Sequence, residues 1–111
     1  MKSTEDLVGE IVTVRTIVGE ELMGKLEGLA QNKTILELHG LRVVTLDPDG
    51  QIMMLPYTLT GQDEVIGLPT RHVLSIVQST TEASEGFKED IDETPDQSEG
   101  PVDLDADSFT L

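Results

Sequence analysis

Cysteine and tryptophan are absent from this 111-residue chain, and its aromatic side chains amount to one tyrosine and two phenylalanines. Without cysteine there is no disulfide and no thiolate-held metal. The two histidines, His39 and His72, stand far apart, outside the short spacings of a zinc-binding pair. No apolar run approaches the roughly 18 residues that a membrane span requires. Residues Met1 to Val8 carry no apolar stretch of the signal-peptide kind. A cytoplasmic protein with no membrane partner is expected. Basic residues are scarce as well: seven Lys and Arg face 22 Asp and Glu, for a net charge of −15.

That charge is unevenly placed. Residues 1–80 carry eleven acids and six bases, whereas from Thr81 onward eleven acids meet a single base, Lys88. The second segment is also rich in Ser, Thr, Gly and Pro and poor in β-branched apolar residues, so it buries too little surface to offset its ordering entropy. Two regions are therefore expected: a folded domain over 1–79 and a disordered acidic tail over 80–111. A core of about 75 residues is small for an independent domain. Such cores often gain stability from a disulfide, a metal or self-association. Only self-association is compatible with this composition.

Ser3 followed by Asp6 has capping-box spacing and predicts a short helical turn over residues 3–9. Beyond Gly9 the pattern is β. Val12, Val14 and Val18 share one face of a first strand, and Gly19-Glu20 makes the turn. In the second strand Leu22, Gly24 and Leu26 share a parity that Leu29 breaks, so a bulge or sharp bend is predicted at Gly28. Leu36 and Leu38 continue the core face, His39-Gly40 interrupts it, and Leu41 to Leu46 extend the third strand after a kink. Asp47-Pro48-Asp49-Gly50 is a turn. Further strands are expected over Gln51 to Leu55, Val65 to Leu68 and His72 to Val77. A short helix followed by antiparallel strands, one of them strongly bent, predicts an all-β chain: a small five-stranded antiparallel barrel of SH3-like or OB-like kind.

These residues resemble the Sm/LSm family of small barrels that assemble into RNA-binding rings. The resemblance rests on Val12-x-Val14, Gly19, and Gly24-Lys25-Leu26 for the first motif, with Ile35-Leu36-Glu37-Leu38 in the third strand. Val65 to Ile76 matches the second motif, a short strand, a tight turn and a final strand. The middle section, Leu41-Arg42-Val43-Val44, Pro48-Asp49-Gly50 and Leu55-Pro56-Tyr57, is similar to divergent phage-associated members. Ala30 and Thr34 stand where eukaryotic members hold an Asp and an Asn, and Pro69-Thr70-Arg71-His72 replaces their Arg-Gly. Arg71-His72 instead resembles the Lys-His pair of the bacterial Hfq branch, and Gln31 falls at that branch's pocket glutamine. The resemblance implies a homo-oligomeric ring that binds single-stranded RNA or DNA, with a role in nucleic-acid processing.

Four residues are thus the candidate nucleic-acid site: Gln31, Asn32, Arg71 and His72. An arginine bridges phosphates or stacks on a base, and Gln, Asn and neutral imidazole hydrogen-bond base edges. As ordinary turn and strand-end residues the same four carry no function. Lys25, Lys33 and Arg42 are weaker phosphate candidates, and Tyr57 either stacks a base or packs at a strand end. Asp47-x-Asp49-Gly50 lacks the later positions of a calcium loop, as does Asp103-x-Asp105-x-Asp107. No nucleophile and base pair up, so neither catalysis nor a cofactor is expected. The rival reading is a phage-type structural or protein-interaction module. In it the tail, whose end Asp103 to Leu111 alternates acids with apolar residues, docks on a protein partner.

Overall fold

The computed structural model describes residues 3–61 and 65–93, with only the backbone at 92 and 93. Six strands follow a single helical turn at Glu5–Leu7: β1 (Ile11–Thr16), β2 (Glu21–Ala30), β3 (Ile35–Leu46), β4 (Ile52–Pro56), β5 (Val65–Pro69) and β6 (Val73–Gln78). A second helical turn, Thr70–His72, joins β5 to β6, and helix α1 spans Thr81–Glu93. No helix among the described residues is long and apolar enough to cross a membrane.

All strand pairs are antiparallel, in the order β4-β3-β2-β1-β6, with β5 also on β3. The first half of β3, Ile35 to His39, pairs with β5, and the second half, Arg42 to Leu46, pairs with β4. The sheet is therefore five strands across at either level, as expected for the bent barrel, although six segments build it. Its curvature has local causes. The β2–β3 register shifts twice, between Met23 and Lys25 and between Leu26 and Gly28, and each irregularity raises the local twist. At Gly24 an added Cβ would lie 3.2 Å from Leu41 Cδ1 and 3.3 Å from the His39 carbonyl. Only glycine lets the two strands approach that closely at the bend. Gly40 kinks β3 with φ of +69°, a conformation that other residues adopt only under strain.

The concave face encloses the main core. Val12, Val14, Leu22, Leu26, Leu36 and Leu38 are almost wholly buried there, with Leu7, Leu41 and Leu68 around them. The valine and leucine parities expected for β1, β2 and β3 are those observed. The capping box forms too: Asp6 N donates to Ser3 Oγ at 3.4 Å and Ser3 N to Asp6 Oδ2 at 3.2 Å. Asp47 Oδ1 accepts from the amides of Asp49 and Gln51 at 2.8 and 2.9 Å, so the Asp47 to Gly50 segment is a side-chain-braced turn. Strand ends differ from expectation: β6 starts at Val73, with His72 in the helical turn before it, and β1 is shorter than expected. β1 stops at Thr16, whose amide donates to the Glu20 carbonyl at 2.9 Å, and Val18 lies in the turn, 77% exposed. The left-handed Gly19, with φ of +96°, closes the hairpin one residue after Val18.

Residues 81–93, expected to lie in the acidic tail, instead form α1. The remaining tail residues, 94–111, are outside the described residues. The helix starts where Thr80 Oγ1 accepts from Ala83 N at 3.2 Å, an N-cap arrangement. Ala83, Phe87 and Ile91 recur every four residues along one face. They pack on Ile11, Met23, Val44 and Met54, the outward-facing apolar residues of the sheet. Phe87 is 4% exposed. Above the kink, Phe87 and Ile91 lie against Gly40, where an added Cβ would meet Ile91 Cδ1 at 2.8 Å. Arg42 fixes the far end, its Nε donating to Asp90 Oδ2 at 2.7 Å from a side chain only 11% exposed. Both faces of the bent sheet are thereby covered, one by its own curl and one by α1.

Candidate nucleic-acid interface

The β2–β3 loop has an unusual backbone. Gln31, Asn32 and Lys33 have consecutive φ values of 50°, 60° and 68°. Left-handed geometry costs an L-residue about 1–2 kcal/mol, so three in a row persist only when neighbours hold them. Thr34 does much of this. Its hydroxyl donates to the Gln31 carbonyl at 2.7 Å, and its amide reaches the Ala30 and Gln31 carbonyls at 3.1 and 3.3 Å. Lys33 Nζ forms an ion pair with Glu5 Oε2, tying the loop to the N-terminal turn.

The second loop is brought to the first by β5. Ile35 lies opposite Pro69 in the register, so the turn at Thr70–His72 begins beside Thr34. Thr70 donates twice to the Thr34 carbonyl, from its amide at 2.9 Å and its hydroxyl at 3.2 Å. The His72 carbonyl accepts from Ile17 N at 3.0 Å, which anchors the turn to the β1–β2 hairpin. The fold thus gathers Gln31-Asn32 and Arg71-His72 at one end of the barrel, and all four residues are exposed. Strained backbone positions concentrate where a fold presents functional groups.

The charges divide clearly. Among the described residues Arg15 pairs with Glu21, Lys33 with Glu5 and Arg42 with Asp90, whereas Lys25, Arg71 and Lys88 have no carboxylate partner. Arg71 is therefore the one unpaired cation on the two loops. Arg42, a phosphate candidate by sequence, is committed to α1 and largely buried. Lys33 keeps its place on the loop but is held by Glu5, and Lys25 lies on the outer face of the sheet. Tyr57 is half-buried against the main core, with its amide donating to the Leu41 carbonyl at 3.2 Å, which is the packing role. Beside the loops runs a groove of about 320 Å³, floored by Leu29, Leu36, Val73 and Ile76 and edged by Lys33 and Thr70.

Sequence reasoning missed the residues that join the loops. Thr34 and Thr70 are unremarkable in one dimension, and only strand register makes them neighbours. The Glu5–Lys33 pair was equally hidden. Among the described residues no group of three or more His, Asp or Glu side chains is arranged to hold a metal ion.

No protein-family model matches the chain, and no curated protein matches it. Among solved structures, the chain is similar to a heptameric archaeal Sm protein, at 20% identity over 68% of this chain and 93% of that one, with a TM-score of 0.47. It is similar also to the P. aerophilum SmAP1 heptamer, at 20% identity over 68% of this chain and 85% of that one, with a TM-score of 0.47.

Proposed function

We propose that the chain assembles into a homo-oligomeric ring that binds single-stranded RNA or DNA at the barrel end bearing Gln31, Asn32, Arg71 and His72, with no catalytic step. The observation that carries this reading is the junction of the two loops through Thr34 and Thr70. It supports a shared site in which the amides of Gln31 and Asn32 act together with the Arg71 guanidinium and the His72 imidazole, all of them exposed. Unstacked bases are read by such amides, and phosphates by such a guanidinium. Repeated once per subunit, Arg71 becomes a positive girdle on an otherwise acidic protein. The Arg71-His72 pair and Gln31 support a site of the bacterial Hfq kind in a divergent, phage-associated Sm-like protein.

Open strand edges support the ring. Among the described residues β6 pairs only with β1, and β4 and β5 pair only with β3. Val65 on β5 and Leu74 and Val77 on β6 are 46%, 68% and 54% exposed. Pairing β6 of one copy with the β4/β5 edge of the next satisfies both edges. Such a head-to-tail contact closes when its rotation divides a full turn.

The test is fluorescence anisotropy of labelled oligo(U) and oligo(dT) at low salt. The proteins compared are wild type, Arg71→Ala, and a chain ending at Glu93, which keeps α1 and removes five acids. Wild type is expected to bind, Arg71→Ala to lose about tenfold as a charge-assisted contact disappears, and the shortened chain to bind at least as well. Absence of binding by both wild type and the shortened chain overturns the proposal. The second reading, a structural or protein-interaction module whose tail docks a protein, is favoured by the net −5 of residues 1–80, since phosphate binding usually shows as a basic surface.

A further inference from the structure

A cleft of about 680 Å³ lies alongside the contact between α1 and the outer face of the sheet, lined by residues of both. Its volume falls within the few hundred to about 1,000 Å³ usual for small-molecule sites. The cleft is amphipathic by construction. Ile11 and Phe87, both buried, and the half-buried Ile91 are its apolar lining residues. Two lysines line it from opposite sides, Lys25 from β2 and Lys88 from α1, and both are exposed.

The placement of those lysines is the informative point. Of the six described Lys and Arg side chains, three pair with a carboxylate. Only three described cations lack one, and two of them, Lys25 and Lys88, face this cleft. Ser84, half-buried on the helix wall, adds a hydroxyl that makes no hydrogen bond. The acids on the lining are Glu10 and Glu85. Glu10 accepts from Gln78 Nε2 at 3.1 Å, and the exposed Glu85 lies one turn before Lys88 on the helix without forming an ion pair with it. His39, also on the lining, has its own carboxylate in Glu27, with Nδ1 to Oε2 at 3.4 Å.

We propose that this cleft binds a small amphipathic anion, with its apolar body against Ile11 and Phe87 and its anionic head between Lys25 and Lys88. A nucleotide and a medium-chain carboxylate share that chemistry, an anionic group on an apolar or planar body. The loops at the barrel end take no part.

The probe is 8-anilinonaphthalene-1-sulfonate, itself an amphipathic anion, titrated into the full-length protein with fluorescence as the readout. Wild type is expected to give a saturable rise with one site per chain. The exposed lysines permit a K25Q/K88Q variant that keeps the wild-type melting temperature and weakens the probe by about tenfold or more as both charge-assisted contacts are lost. Lys25→Arg with Lys88→Arg is expected to restore binding. Displacement of the probe by decanoate identifies an acyl ligand, displacement by AMP a nucleotide, and inorganic phosphate, lacking an apolar body, is expected to leave the probe bound. A wild-type signal that does not saturate overturns the proposal. So does an equal affinity in the folded K25Q/K88Q variant, or displacement by phosphate as effective as that by decanoate and AMP.

Discussion

Thr70 holds the carbonyl of Thr34 with both its amide and its hydroxyl, at 2.9 and 3.2 Å. Through that pair the β2–β3 loop and the turn before β6 become one surface, although 36 residues separate the two threonines. Replacing Thr70 by valine removes the hydroxyl bond and leaves the amide bond in place. A single neutral hydrogen bond contributes about 0.5–1.5 kcal/mol. Thr70→Val is therefore expected to weaken oligonucleotide binding several-fold in anisotropy titrations while chemical denaturation shows a loss of no more than that amount. Unchanged affinity would mean that the loops do not act as a unit.

Phe87 is the centre of the contact between α1 and the sheet. Truncation of a buried phenylalanine typically costs about 3–5 kcal/mol. Phe87→Ala is expected to lower stability toward urea by about 3 kcal/mol, at the lower end of that range because the site is an edge of the fold. A chain stopped after Thr80 is expected to lose more, since Ile11 and Met23 then face water. A loss below about 1 kcal/mol for Phe87→Ala contradicts the docked helix.

How much of this was legible in the sequence depends on what kind of signal each element carries. Valine and leucine alternation at Val12, Val14, Leu36 and Leu38 reports burial directly, and the parity break at Gly28 reports the bend. These survive into three dimensions because the sheet face decides them. Helix α1 was obscured because the six acids of residues 81–93 outweigh its three apolar residues in a composition average. Its signal was the four-residue spacing of Ala83, Phe87 and Ile91, together with Thr80 as a cap. The loop residues Gln31, Asn32, Arg71 and His72 were placed by motif resemblance, but their union through Thr34 and Thr70 depends on the Ile35–Pro69 register, which no local pattern encodes.

Arg42, with a side chain only 11% exposed, makes a charged contact at 2.7 Å with Asp90, whose side chain is 39% exposed. Removing one partner of such a pair leaves the other desolvated, which is costlier than the pair's net contribution. Asp90→Ala is expected to destabilise the fold by about 1.5–3 kcal/mol. Asp90 is partly open to solvent, so salt screens part of the attraction, whereas the desolvated Arg42 keeps part of the loss in high salt. A loss that vanishes at high salt would assign the contact to the surface.

The exposed apolar residues of β6 bear on assembly. Leu74→Glu places a charge on the open edge without touching the main core, since Leu74 is 68% exposed. Native mass spectrometry is expected to find a closed oligomer for wild type and a shift toward monomer for the variant, with the melting curve of the single subunit retained. A wild-type monomer at micromolar concentration would remove the ring.

The central claim is that a single strand lies across Gln31-Asn32 and Arg71-His72, and hydrogen exchange in the presence of saturating oligonucleotide tests it most directly. Bound amides exchange more slowly where the ligand stiffens or covers them. The expected result is slowed exchange in peptides spanning residues 30–35 and 69–73, with α1 and the β3–β4 hairpin unchanged. Protection confined to α1 or to the hairpin, or none at either loop, contradicts the account.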